Sequence, residues 1–178
     1  MEEVIATAGG GQSFDPHRAG GPFNATCIDL IDYGLMDMKW QGVTKKKHRV
    51  VLRFWAGEYM EMEGENVPHW IDAWFTLSLH ENSTLRPFLE SWRGQAFTDE
   101  ECEGFNVAVL VGVDALIQVI HTEDGKYANI NSIMRGAKGS GAGVPKGYVR
   151  VKDRPTEEQP ETVQPGITKE DEDDGLPF

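Results

Sequence analysis

Between Lys46 and Trp55, the residues Lys47, Arg49, Val51, Arg53 and Trp55 alternate with His48, Val50, Leu52 and Phe54. Between Trp70 and His80, the residues Trp70, Asp72, Trp74, Thr76, Ser78 and His80 alternate with Ile71, Ala73, Phe75, Leu77 and Leu79. Successive side chains of a β-strand point to opposite faces, so each stretch reads as a strand with one apolar and one polar-aromatic face. If the two strands are neighbours with apolar faces inward, the outer surface collects Lys47, Arg49, Arg53, Trp55, Trp70 and Trp74. Cations that follow a phosphate backbone and rings that stack bases are what a single-stranded nucleic acid needs. Stacking contributes about 1–3 kcal/mol per base and tolerates any sequence, and phosphate contacts add a salt-dependent term. Trp40, Lys45 and Lys46 fall in an adjoining stretch read as a loop that closes over the strand. The competing reading of the same residues is a solvated cationic face with its tryptophans packed under a loop.

The elements that must position this face follow from periodicity and turn chemistry. Phe23 to Tyr33 is rich in β-branched and aromatic types and closes at Gly34, giving a first strand. Lys46–Trp55 and Trp70–His80 are the second and third. Ser83 precedes Leu85, Phe88, Leu89 and Trp92, whose spacing of three and four predicts one apolar helical face with Ser83 as its cap. Thr98 or Asp99 caps a short turn through Glu103. Val113–His121 and Tyr127–Met134 form two further strands joined across Thr122–Lys126, where Asp124-Gly125 is a hairpin signal. A mainly β chain in the order of three strands, a helix and two strands is the order of the five-stranded OB-fold barrel.

Charge divides the chain further. The 178 residues carry 29 acidic and 17 basic side chains, a net of −12, which excludes a uniformly basic nucleic-acid coat but not a local basic groove. Residues 153–178 hold nine acids against Arg154 and Lys169, a net of −7, with four prolines. Such a segment buries too little apolar surface to offset its ordering entropy and reads as a disordered tail. The expected organisation is a flexible arm over residues 1–22, a binding domain over 23–134, a basic Gly-rich extension over 135–152 and the acidic tail over 153–178. No apolar run approaches the roughly 20 residues of a membrane span, and no basic-then-apolar leader opens the chain. Cys27 and Cys102 stand far apart, which argues against a disulfide framework and for a cytoplasmic setting.

The last residues read Asp173-Asp174-Gly175-Leu176-Pro177-Phe178. Acids followed by a short apolar tip and a terminal Phe resemble the C-terminal tip of bacterial single-stranded DNA-binding proteins. There Asp173, Asp174, Leu176, Pro177 and Phe178 are expected to bind a partner, with Phe178 in an apolar pocket, its carboxylate on a cation and the acids steering the approach. The body resembles the OB-fold single-stranded DNA-binding proteins of phages and prophages. The resemblance runs through Phe23–Cys27, Ile31–Gly34, Phe75–His80, Leu89–Gly94 and Asp124–Ile130, and covers roughly Phe23 to Met134. It implies a role in phage DNA replication, recombination or repair in the bacterial host cytoplasm, no metal or nucleotide cofactor, replication or recombination proteins as partners of the tip, and a possible homo-oligomer. The named contact residues rest on the alternation, not on the resemblance.

Other chemistry is weakly signalled. Gly136–Gly143 lacks the GK[ST] of a phosphate loop and is followed by Val144-Pro145 rather than a helix. His17, His48, His69, His80 and His121 lack metal-ligand spacing with one another or with the cysteines, and no nucleophile–base pair stands out, so no enzymatic activity is expected. Two functional readings remain. One is a sequence-tolerant single-stranded DNA-binding protein. The other is an acidic protein-interaction module, a DNA mimic or an adaptor for a host replication protein, that binds no DNA.

Overall fold

The computed structural model describes residues 15–155. Its elements are β1 (Gly20–Trp40), β2 (Val43–Met62), β3 (Glu65–Thr76), α1 (Leu85–Arg93), α2 (Asp99–Glu103), a 3-10 turn (Val107–Leu110), β4 (Asp114–His121), β5 (Ala128–Arg135) and a second 3-10 turn (Val151–Asp153). The five strands form one antiparallel sheet in the order β3-β2-β1-β4-β5, with α1 between the third and fourth strands as the sequence predicts. β3 and β5 are its hydrogen-bonded edges, and they pack near one another without a ladder between them.

The apolar faces meet on one side. Cys27, Val50, Leu52, Phe54, Ile71, Phe75, Ala115 and Ile117 pack against Leu85, Leu89 and Trp92 of α1. Each fully buried aliphatic side chain there contributes about 1.5–3 kcal/mol. Thr84 occupies the N-cap position of α1, one residue after the expected cap, while the Ser83 hydroxyl still accepts the Arg86 N–H at 3.3 Å. Thr98 caps α2 in a reciprocal box with Glu101. Burial pushes the Cys27 thiol up to about 12, so this cysteine is a small inert core residue.

The strands run well past their predicted limits. β1 and β2 stay paired from Gly34↔Arg49 out to Trp40↔Val43, and β2 and β3 from Tyr59↔Pro68 out to Met62↔Glu65. Two-stranded arms therefore project from opposite ends of β2. Gly34 (φ +67°) and Gly57 (φ +83°) sit at register shifts where one and two extra residues, respectively, bend the ribbon; Gly34 is a bulge, not the end of a strand. Each arm closes in two residues with positive φ, Gln41-Gly42 (48° and 79°) and Glu63-Gly64 (52° and 83°), the backbone of a type I′ turn. The β1–β2 arm carries Lys39, Lys45, Lys46 and Lys47 against Asp37, and the β2–β3 arm carries Glu58, Glu61, Glu63 and Glu65.

After β5 the chain returns over the sheet as a strap, residues 136–155. A Cβ at Gly141 would collide with the Asp114 carboxylate and the Thr26 hydroxyl, so only glycine permits this approach. The Gly139 N–H donates to Asp114 (2.8 Å) and the Gly143 N–H to Thr26 Oγ1 (2.9 Å). The strap then lays Tyr148 to Val151 across the outer face of β1, β2 and β3. Among the described residues no helix is long and apolar enough to cross a membrane.

Candidate nucleic-acid interface

Register decides which side chains share the outer face. β2 and β3 pair Arg49↔Thr76, Val51↔Trp74, Arg53↔Asp72 and Trp55↔Trp70, so the predicted cations and indoles do lie on one face of adjacent strands. β1 adds Asp29 opposite Arg53 and Ile31 opposite Val51. Outward along the basic arm the same alternation brings Met36 with Lys47, Met38 with Lys45 and Trp40 with Val43.

Facing outward is not the same as being open, and here the expectation is corrected. Arg49 is 0% exposed and donates to Thr76 Oγ1 at 2.8 Å. Arg53 is 7% exposed, clamps the Asp72 carboxylate through two bonds of 2.7 and 2.8 Å, and lies 4.2 Å over the Trp70 ring. Burial alone would lower the Arg53 pKa, but its hydrogen bonds to Asp72 outweigh that and raise it, so the guanidinium stays charged and is spent inside the protein. Trp55 is 6% exposed and donates its indole N–H to the Glu58 carbonyl at 2.8 Å. These three residues hold the fold together and are not free to meet a nucleic acid.

Over Arg53 the cover is the strap, whose far end is fastened by one buried carboxylate. Asp29, fully buried, accepts the Tyr148 hydroxyl (2.8 Å), Arg150 Nε (2.9 Å) and the Val151 N–H (2.9 Å). Burial pushes the Tyr148 phenol up to about 12, so it remains a donor to Asp29 while accepting from Arg53 Nη1 at 3.3 Å. The Tyr148 ring stands edge-on to Trp70, centroids 5.8 Å apart. Val151 packs with Ile31 and Val51, against Tyr33 and Trp74. No sequence signal linked Asp29 or Tyr148 to the site, because 119 residues separate them.

What remains accessible lies at the margin of the strap and along the arm. Tyr33 and Trp74 are half-buried and stacked, centroids 4.7 Å apart with 29° between their planes. Trp70 is also half-buried. Lys45 is exposed and Lys47 half-buried, and neither has an ion-pair partner among the described residues. Lys46 points to the other side of the ribbon, where it pairs with Asp37 at 3.0 Å. Trp40, Lys45 and Lys46 thus belong to a hydrogen-bonded ribbon, not to the loop expected for them. The indole N–H of Trp40 is enclosed, with no acceptor among the described residues.

Compared with known proteins, the chain matches no family model, no curated protein and no solved structure.

The opposite arm has a different character. Glu58 accepts Arg18 (2.6 Å) and lies 3.5 Å from His17, and His17 is buried beside His69 with ring centroids 5.3 Å apart. Hydrogen bonding from Arg18 holds the Glu58 carboxyl below its usual range. This cluster ties the segment before β1 to the β2–β3 hairpin. Among the described residues no group of three or more His, Cys, Asp or Glu is arranged to hold a metal ion. The tip residues Asp173, Asp174, Leu176, Pro177 and Phe178, the tail from residue 156 and the arm up to residue 14 lie outside the described residues.

Proposed function

We propose that the protein binds single-stranded DNA with little sequence preference, across the outer face of the β1–β2 arm and the aromatic margin beside it. The observation that supports this most is a row on one face: Trp40, Lys45, Lys47 and then the stacked Tyr33–Trp74 pair. Successive cations on one face of a strand lie about 6.8 Å apart, which lets an extended polyanion run along the ribbon. The acidic β2–β3 arm at the far end of β2 repels phosphates and keeps the strand on the basic half.

The strand order β3-β2-β1-β4-β5 with a helix before β4 is the order an OB barrel has when it is open between β3 and β5. Together with the phage-type motifs of the body and the acidic, Phe-terminated tip, this supports a protein of phage DNA replication, recombination or repair, working in the bacterial cytoplasm and using its tail to recruit replication proteins. Arg49, Arg53 and Trp55 are buried and take no part in binding, and Trp70 and Trp74 form the half-buried edge of the path.

A second reading is favoured by one observation: Arg53 and Lys46 are each paired with an aspartate and Arg49 is buried, while the protein as a whole carries −12. On that reading it is an acidic interaction module that binds no DNA. Tryptophan fluorescence separates the two. Poly(dT) added at low salt quenches the emission, and sodium chloride restores it, if DNA is the ligand; unchanged emission at low salt favours the module.

A further inference from the structure

Inward of Lys47, the outer face of the sheet is electrically balanced by itself, since Arg49 and Arg53 stand with Asp29 and Asp72. The strap changes this. Residues 136–155 contribute Lys138, Lys146, Arg150, Lys152 and Arg154 against Asp153, a net of +4 laid onto a face whose own charges cancel. Arg150 is consumed in neutralising Asp29. Lys152 directly follows Val151, the residue seated between β1, β2 and the Tyr33–Trp74 pair, and it is exposed.

We infer that the strap is a second wall of the single-strand path, with Lys152 as a phosphate contact and Asp29 as the positioning residue that holds the wall in place. This rests on the nucleic-acid reading above and deepens it by adding residues the strand alternation does not reach. Three features point to a wall rather than a removable cover. The strap is fastened by three hydrogen bonds to a carboxylate that is 0% exposed, so releasing it strips a buried anion of all three donors. Its glycines at 136 and 141 pass so close to Ala115, Thr26 and Asp114 that the segment is fitted to the sheet. Taking the strap away would also remove its net charge of +4 and leave a face whose own charges cancel, with nothing there to attract a polyanion.

The test measures the dissociation constant of the full chain for a fluorescent oligo(dT) over a sodium chloride series, for wild type, Lys152→Ala, Asp29→Asn and Tyr148→Phe. Each phosphate contact on a single strand contributes about 0.7 to the slope of log K against log salt. Lys152→Ala is expected to weaken binding at low salt and to flatten that slope by about 0.7 with the melting temperature unchanged. Asp29→Asn and Tyr148→Phe are expected to weaken binding in the same direction, with a flatter slope that a purely structural defect would not produce. Wild-type binding with an unchanged slope in Lys152→Ala overturns the wall, and this variant alters only an exposed side chain, so it decides even where Asp29→Asn does not fold. Tighter binding by Asp29→Asn or Tyr148→Phe also overturns it, by showing that the strap is a cover. No oligo(dT) binding by wild type at low salt removes the nucleic-acid reading and the wall together, an outcome distinct from the other two.

Discussion

Val43–Lys47 and Arg49–Trp55 are consecutive stretches of one strand that present alternate side chains to the same face. The first forms half of a free ribbon, with Lys45 exposed and Lys47 half-buried; in the second Arg49, Arg53 and Trp55 are all buried, and the strap touches it through Val151 on Val51 and Tyr148 on Arg53. Residue types barely distinguish them, because both are cationic and both adjoin an indole. What separates them is a segment about a hundred residues later that covers one and stops short of the other. The same residue pattern is therefore buried in one half and left open in the other.

The sharpest way to break this contrast is to truncate an indole in each half. Trp55→Ala, in the buried half, is expected to lose about 3–5 kcal/mol of stability in urea unfolding, the usual cost of emptying a buried tryptophan site; a loss under about 1 kcal/mol would mean that the indole is not part of the packed interior. Trp74→Ala, at the margin, is expected to cost about 1–3 kcal/mol of oligo(dT) affinity, read by fluorescence anisotropy. Smaller still is the effect in the open half. Lys45→Ala with Lys47→Ala should flatten the salt slope of DNA binding by about 1.4 while stability stays within about 0.5 kcal/mol of wild type. An unchanged slope would place the phosphates elsewhere.

The far arm supplies a last, weaker handle. Burial, then the neighbouring His17, lowers the His69 pKa from its ordinary 6.5, so the fold favours the neutral ring. The unfolded chain takes up this proton more readily; the contribution is fully present above pH 6.5 and is lost as the pH falls below it. Melting temperature measured from pH 8 to pH 5.5 should decline in wild type and decline less in His69→Gln. Glu58, whose carboxyl is lowered, adds its own loss only below its ordinary 4.5, outside the range from pH 8 to pH 5.5. Parallel curves for the two proteins would show that His69 is not the group responsible.

Much of this architecture was legible in the residues. Alternation placed Trp55 with Trp70 and Val51 with Trp74 on one face, the three-and-four spacing from Leu85 to Trp92 marked the helix that closes the core, and Asp124-Gly125 marked the last hairpin. The arms were not legible, because Gln41-Gly42 and Glu63-Gly64 adopt the turn that Asn-Gly or Asp-Gly announces without having its first residue. Gly34 looked like a stop because a glycine at a bulge and a glycine after a strand are the same letter. The strap was hidden for a deeper reason. Its glycines and lysines are the composition of a linker, and only Asp29, buried on a distant strand, converts Tyr148, Arg150 and Val151 into a fixed cover. Periodicity reports which face a residue takes, whereas exposure depends on what else in the chain reaches that face.

The most direct test of the account is a heteronuclear NMR titration of the full chain with oligo(dT) at low salt. Shift changes concentrated on Trp40, Lys45, Lys47, Tyr33, Trp74 and Lys152, with the β2–β3 arm and the inner face silent, are the predicted result. Changes centred on the acidic Glu58–Glu65 arm, or no changes at any DNA concentration, would contradict it.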